Sequence, residues 1–191
     1  NIPLVKDVET MIDLLSILGS KIKLIKKKKT IEILNSENFN TFAPYKLVKT
    51  MRAGILVLGP LLAKYNRAKV SLPGGCAIGS RPVNFHLNAL KKMGAKIKIK
   101  NGYINASVKN GLIGNKITFS KISVGATENT IMAAVLAKGI TILNNCACEP
   151  EIKDLTNFLT KMGCKIKWLE KRKIEIQGIT TLKPLTYKVM P

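Results

Sequence analysis

Leu15-Ser-Ile-Leu-Gly-Ser-Lys-Ile-Lys23 recurs as Leu90-Lys-Lys-Met-Gly-Ala-Lys-Ile-Lys98 and again as Leu159-Thr-Lys-Met-Gly-Cys-Lys-Ile-Lys167. In each copy an apolar stretch with helical spacing runs into a glycine, and a strand alternating Lys with apolar residues follows. Met11, Leu14, Leu15 and Leu18 fall on one helical face, as do Val83, Leu87 and Leu90. Gly19, Gly94 and Gly163 stand where a helix ends in a left-handed residue, a conformation glycine adopts without a Cβ penalty. A short turn and a second strand close each unit, at residues 30–34, 103–108 and 173–176.

Between these units lie further helix-then-strand segments. Residues 45–64 predict a helix leading to a strand at 69–72, and residues 127–138 predict a helix leading to a strand at 140–144. The repeating unit is therefore strand, helix, strand, helix, strand, strand, and its marker glycines stand 75 and 69 residues apart. The first copy lacks its opening half, and Tyr187-Lys-Val-Met-Pro191 reads as the start of another strand. Repeats with apolar faces need neighbours to cover them. The expectation is a mixed α/β fold, with residues 1–191 forming one domain, incomplete at its N-terminus, of a longer protein.

Composition bounds the class. Hydrophobic residues make up 46% of the 191, enough for a packed core and too many for a disordered chain. The longest apolar candidate, residues 53–63, contains Pro60 and falls short of the ~20 residues needed to cross a bilayer. No charged segment followed by an apolar one opens the chain, so no secretory signal is read and a cytoplasmic protein is expected.

The formal charge of +21 invites a nucleic-acid reading. Its make-up argues against one. Of the basic residues 28 are Lys and only 4 are Arg, the residue that forks onto phosphates and base edges. Lys, Ile and Asn together are 66 residues, all written by A/T-rich codons, so the surplus Lys reads as drift on solvated faces. The run Lys26-Lys27-Lys28-Lys29 lies between two alternating strands, as a hairpin tip does. Aromatics, at 5%, are too few for a stacking platform. A Lys-rich nucleic-acid-binding module stays as an alternative.

Cys146, Cys148 and Cys164 fit buried or strand positions, and neither their spacing nor a His cluster marks a metal site. Cys76 differs, because it sits in Leu72-Pro-Gly-Gly-Cys-Ala-Ile-Gly-Ser80, ahead of Arg81-Pro82 and a helix. A thiol in such a loop beside Arg81 is expected to ionise more readily than a free one and to serve as nucleophile or proton donor. A second loop, Lys121-Ile-Ser-Val-Gly-Ala-Thr127, combines Lys, Ser and a flexible Gly at a helix start. Helix N-termini present free N–H groups and attract anions, so the pair suggests a ligand with two or more anionic groups, although tight turns capping ordinary helices read the same way. Arg52 lies near the apolar face of its helix and needs either a carboxylate or a substrate phosphate as partner. His86, the only His, reads as a hydrogen-bonded structural residue ahead of a base. Glu149 and Glu151 read as ordinary complements to a helix dipole.

Four segments carry a resemblance: Pro44-Tyr-x-Leu-Val-Lys-Thr-Met-Arg52, Ser71-Leu-Pro-Gly-Gly-Cys-x-Ile-Gly-x-Arg-Pro-Val83, Ser123-Val-Gly-Ala-Thr127 and Glu149-Pro-Glu-Ile152. With them the chain resembles the UDP-N-acetylglucosamine 1-carboxyvinyltransferase family over essentially its whole length. The resemblance implies an inside-out α/β barrel in which two domains each hold three βαβαββ repeats. It implies transfer of the enolpyruvyl group of phosphoenolpyruvate to the 3′-hydroxyl of UDP-N-acetylglucosamine, with release of phosphate, as the first committed step of peptidoglycan synthesis. No cofactor or metal is implied, and the whole enzyme is expected to be monomeric.

Residue by residue, the resemblance makes Cys76 the general acid and the fosfomycin-sensitive thiol. It makes Arg81 the arginine that contacts phosphoenolpyruvate and lies against the nucleotide, and Arg52 a second active-site arginine. Arg81, Pro82, Val83, Asn84 and Phe85 match the uridine-binding stretch, and Lys121, Ser123, Val124 and Gly125 match the diphosphate-binding stretch. The chain departs from the pattern at Asn84, usually Asp, and at Phe85, usually Leu. A Lys-Asn pair and the catalytic carboxylate fall outside these residues, the carboxylate on the second domain, so the piece alone is expected to be inactive. The shikimate-pathway enolpyruvyl transferase shares the fold without the cysteine loop and is the other alternative.

Overall fold

The computed structural model describes residues 2–36, 39–74 and 83–190. Three glycines end helices as the repeat requires. Helix α1 (Lys6–Leu18) stops at Gly19 (φ 112°), while α4 (Asn84–Lys92) and α6 (Pro150–Lys161) each end two residues before their glycine, Gly94 (φ 95°) and Gly163 (φ 104°). The residue before each glycine offers its carbonyl to the same kind of partner. Leu18 O accepts from Asn40 N–H (2.8 Å), Met93 O from Ile113 N–H (3.0 Å) and Met162 O from Lys183 N–H (2.9 Å).

Each stop is followed by an antiparallel pair: β1 (Ser20–Ile25) with β2 (Thr30–Asn35), β5 (Lys96–Lys100) with β6 (Tyr103–Ser107), and β9 (Lys165–Glu170) with β10 (Lys173–Gln177). The four-lysine run makes the first hairpin tip, with a 3-10 turn at Lys26–Lys28 and Lys29 left-handed. In the second and third copies two further strands extend the sheet. Strands β3 (Phe42–Ala43) and β4 (Arg67–Ser71) give the order β3-β4-β6-β5, and β7 (Lys116–Thr118) and β8 (Ile140–Asn144) give β7-β8-β10-β9. The edge pairings β3-β4 and β7-β8 are parallel and the rest antiparallel. The first sheet holds only β1 and β2 among the described residues.

One hydrogen bond marks the equivalence of the three sheets. Leu72 N–H donates to Gly102 O (2.8 Å), Cys146 N–H to Arg172 O (3.1 Å) and Ile2 N–H to Lys29 O (2.7 Å), each acceptor standing just before the last strand of its copy. Ile2 thus occupies the place that follows β4 and β8 in the other sheets.

The helices lie inside and the sheets outside, so the inside-out arrangement holds without the sheets joining. Helix α3 (Leu58–Tyr65) packs on α5 (Val124–Ala134), and α5 packs on α4. Leu58, Leu62, Leu90, Ile131, Leu143 and Ile152 are fully buried there. The outward edges of β1, β5 and β9 carry exposed Lys21, Lys23, Lys96, Lys98, Lys100, Lys165 and Lys167. An apolar cleft of about 1060 Å³ lies between β2 (Ile31, Ile33) and α6 (Leu155, Phe158, Met162).

Two expectations need correcting. The single helix expected at 45–64 is three pieces: α2 (Tyr45–Val48), a 3-10 segment at Arg52–Val57, and α3. Met51 is extended (φ −137°, ψ 113°), and Thr50 Oγ1 donates to Leu47 O (2.8 Å), closing the first turn. The break brings Gly54 against Val48, where an added Cβ would lie 3.2 Å from the Val48 backbone. Residues 187–190 form no strand. Tyr187 instead donates its hydroxyl to Asp154 Oδ1 (2.7 Å) and sets its ring edge-on to Phe158, which straps this segment along α6.

Candidate functional site

Helix α5 begins three residues earlier than its apolar spacing predicts, because Ser123 caps it. Ser123 is extended, its Oγ accepts from Ala126 N–H (3.3 Å), and its carbonyl accepts the first helical bond from Thr127 N–H (3.0 Å). The amides of Val124 and Gly125 precede that bond and have no intrahelical partner. Exposed Lys121 stands on the approach to this helix end. Helix α4 starts without a side-chain cap, with Leu87 N–H donating to Val83 O (3.1 Å) and exposed Asn84 and half-buried Phe85 in its first turn.

The two helix starts meet. A Cβ placed on Gly125 would lie 3.4 Å from His86 Cε1, 3.7 Å from His86 Nε2 and 4.0 Å from Leu56 Cδ2. The absence of a side chain at Gly125 is what lets the imidazole edge lie on the first turn of α5. Half-buried Arg52 opens the 3-10 segment nearby. Burial and, secondly, the Arg52 charge lower the His86 pKa from 6.5 to about 4. Half-buried Arg52 therefore brings positive charge to the same corner as the α5 N-terminus, which is the electrostatics an anionic ligand needs.

Asn129 links the corner. Gly59 N–H donates to Asn129 Oδ1 (2.7 Å), and Asn129 Nδ2 lies 3.3 Å from Ile55 O and 3.0 Å from His86 Nδ1. Asn129 is fully buried and His86 is 5% exposed. The sequence reading passed over Asn129 and weighed His86 mainly as structural. A polar side chain among Ala126, Thr130, Ile131 and Ala133 on a buried helix was the signal available.

Of the residues singled out from sequence, Arg52, Val83, Asn84, Phe85, Lys121, Ser123, Val124 and Gly125 gather at the starts of α4, α5 and the 3-10 segment. Cys76, Arg81 and Pro82 lie outside the described residues. The segments flanking that loop are fixed: Gly74 sits so close to Lys49 that a Cβ would lie 2.8 Å from its carbonyl oxygen, and Val83 leads into α4. Cys146 and Cys164 are not reactive candidates. Both are buried, and burial pushes the Cys146 thiol up to about 11 and raises Cys164 as well. Glu128 on α5 faces Glu151 at the start of α6, and burial together with that like charge raises its pKa. Among the described residues no cluster of His, Cys, Asp and Glu suits a metal ion, and no helix is long and apolar enough to cross a membrane.

Comparison with known proteins gives a consistent picture. The profile of the family described as EPSP synthase (3-phosphoshikimate 1-carboxyvinyltransferase) matches residues 1–191. A UDP-N-acetylglucosamine 1-carboxyvinyltransferase from Pelagibacter ubique is 63% identical over all 191 residues, and one from Rickettsia akari is 54% identical over 192. This chain covers 45% of the first relative's length and 46% of the second's, so it spans about half the length of the curated relatives it matches. Among solved structures, the enolpyruvyl transferase NikO from Streptomyces tendae superposes with a TM-score of 0.84 at 16% identity, covering 100% of this chain and 45% of that one. EPSP synthase from Acinetobacter baumannii gives 0.73 at 16% identity, covering 94% of this chain and 41% of its own. The fold is that of the enolpyruvyl transferases.

Proposed function

We propose a function that proceeds from one premise: the chain belongs to the EPSP synthase (3-phosphoshikimate 1-carboxyvinyltransferase) family. Within that family the whole protein is a UDP-N-acetylglucosamine 1-carboxyvinyltransferase. It moves the enolpyruvyl group of phosphoenolpyruvate to the sugar 3′-hydroxyl and releases phosphate, in the cytoplasm, at the entry to cell-wall synthesis. The observation that carries this is the convergence of the α4 and α5 N-termini with Arg52 on one corner, at residues that by the resemblance match the nucleotide-binding stretches and an active-site arginine. The 63% identity to a relative of that name supports the same substrate pair over shikimate 3-phosphate.

The chemistry is addition followed by elimination. A proton is delivered to the terminal alkene carbon as the sugar oxygen bonds to the adjacent carbon. The C–O bond to phosphate then breaks, and a proton lost from the former methylene restores the double bond. Both substrates are polyanions, which suits helix-start amides, Lys121, Arg52 and Arg81. Cys76 delivers the proton. Asn84, Phe85 and Val83 form the uridine side, and Lys121, Ser123, Val124 and Gly125 hold the diphosphate. The base and a further arginine belong to a second domain. The uncovered side of β2 and the apolar cleft beside it are where the rest of the first repeat packs.

Joined to its missing half, the enzyme releases inorganic phosphate from phosphoenolpyruvate only when UDP-N-acetylglucosamine is present. Cys76→Ala lowers that rate by about a hundredfold or more, the usual scale for removing a general acid. Full activity in Cys76→Ala counts against the proton-donor role. Competition by shikimate 3-phosphate but not UDP would favour the sister reaction, and steeply salt-sensitive RNA or duplex binding would favour the nucleic-acid module.

A further inference from the structure

Two backbone groups fix the amide of Asn129. Gly59 N–H can only donate, so it must face the amide oxygen, and Ile55 C=O can only accept, so it must face the amide nitrogen. A flipped amide would set donor against donor and acceptor against acceptor. The second hydrogen of Nδ2 therefore points at His86 Nδ1, 3.0 Å away, and that ring nitrogen must carry a lone pair. The ring proton is left on Nε2. This nitrogen lies on the ring edge that rests against Gly125, and no described residue accepts from it. This donor, on a residue that is 5% exposed as a whole, thus faces the first turn of α5, beside the Val124 and Gly125 amides.

We propose that Asn129 is a positioning residue, which holds His86 as the neutral tautomer with its proton on Nε2 so that Nε2–H donates to the anionic group seated at the start of α5. The inference rests on the diphosphate reading of that helix end. It gives His86 the role of an uncharged donor, matched to an oxygen of the diphosphate, and removes it from acid–base chemistry at neutral pH. The asymmetry is physical: a proton on Nδ1 would meet the Asn129 N–H, so the ring cannot switch nitrogens without breaking a link that ties the 3-10 segment, α3 and α4 to α5.

The chain has a single His, so a long-range proton–nitrogen correlation spectrum of the 191-residue protein contains one ring. At neutral pH the spectrum is expected to show a protonated Nε2 and an unprotonated Nδ1. Adding millimolar UDP shifts the Nε2 resonance together with the backbone amides of residues 121–125. Asn129→Asp, whose carboxylate can only accept, draws the ring proton to Nδ1, leaves Nε2 without its hydrogen and weakens UDP binding by about tenfold or more. A wild-type ring protonated on Nδ1 overturns the proposal. So does UDP that moves the amides of 121–125 and leaves Nε2 unmoved, the pattern of a purely structural link; that result spares the diphosphate reading. UDP that moves neither overturns both. If Asn129→Asp does not fold, the two wild-type measurements decide.

Discussion

Asn129 has two amide hydrogens and one carbonyl oxygen, and all are engaged by groups far away in sequence: His86 is 43 residues distant and Gly59 is 70. Such a link leaves no trace in periodicity, which is why the sequence reading reached the helix starts but not the buried pair behind them. The pair has a measurable thermodynamic consequence. His86 titrates at 6.5 when unfolded and at about 4 when folded, so between these values the unfolded chain takes up a proton that the folded one refuses. Its share of stability is fully present above pH 6.5 and is lost as pH falls toward 4, amounting to about 3 kcal/mol. Urea unfolding at pH 7 and pH 4.5 should show that loss, and His86→Gln should flatten it. Glu128, with its raised pKa, works in the opposite direction, so the difference between wild type and His86→Gln is the quantity to read.

At the scale of elements, the glycine helix stops and the strands after them were legible because their signals are local. The break at Met51 was not, since the residues on both sides of it have helical spacing. What breaks the segment is tertiary: Gly54 must pass close to Val48. The crossing of α3 and α5 is equally tight. A Cβ on Gly59 would run into both Asn129 Oδ1 and the Asn129 carbonyl oxygen, and the latter is backbone that cannot give way. Gly59→Ala is therefore expected to cost about 3 kcal/mol or to prevent folding, despite the better helix propensity of Ala. Denaturant midpoints check this, and an unchanged midpoint would contradict the crossing. Where α5 meets α6, Glu128 and Glu151 repel one another. Glu128→Gln should raise the denaturation midpoint, more at pH 8 than at pH 5, where the carboxyl already carries a larger share of protons.

For the whole molecule the governing number is +21. Seven of the 28 lysines lie exposed on the outward strands β1, β5 and β9, where they repel through water. Salt shortens the reach of that repulsion to about 8 Å at physiological strength. The thermal midpoint should therefore rise by a few degrees between about 10 mM and about 300 mM sodium chloride, and a midpoint that falls would contradict self-repulsion as the dominant charge effect. The lysines of β5 and β9 also line the outer edges of the two four-stranded sheets. The hydrogen bond from Ile2 to Lys29 marks where β2 begins to offer its far side, yet beyond it no described strand takes up those backbone groups, and Ile33 and Leu34 stand 46% and 70% exposed beside them. Bare peptide groups next to greasy side chains are adhesive. At high concentration, clumping of this molecule should start on that flank, and a charged or proline-bearing β2 would be the first remedy for anyone trying to keep it in solution.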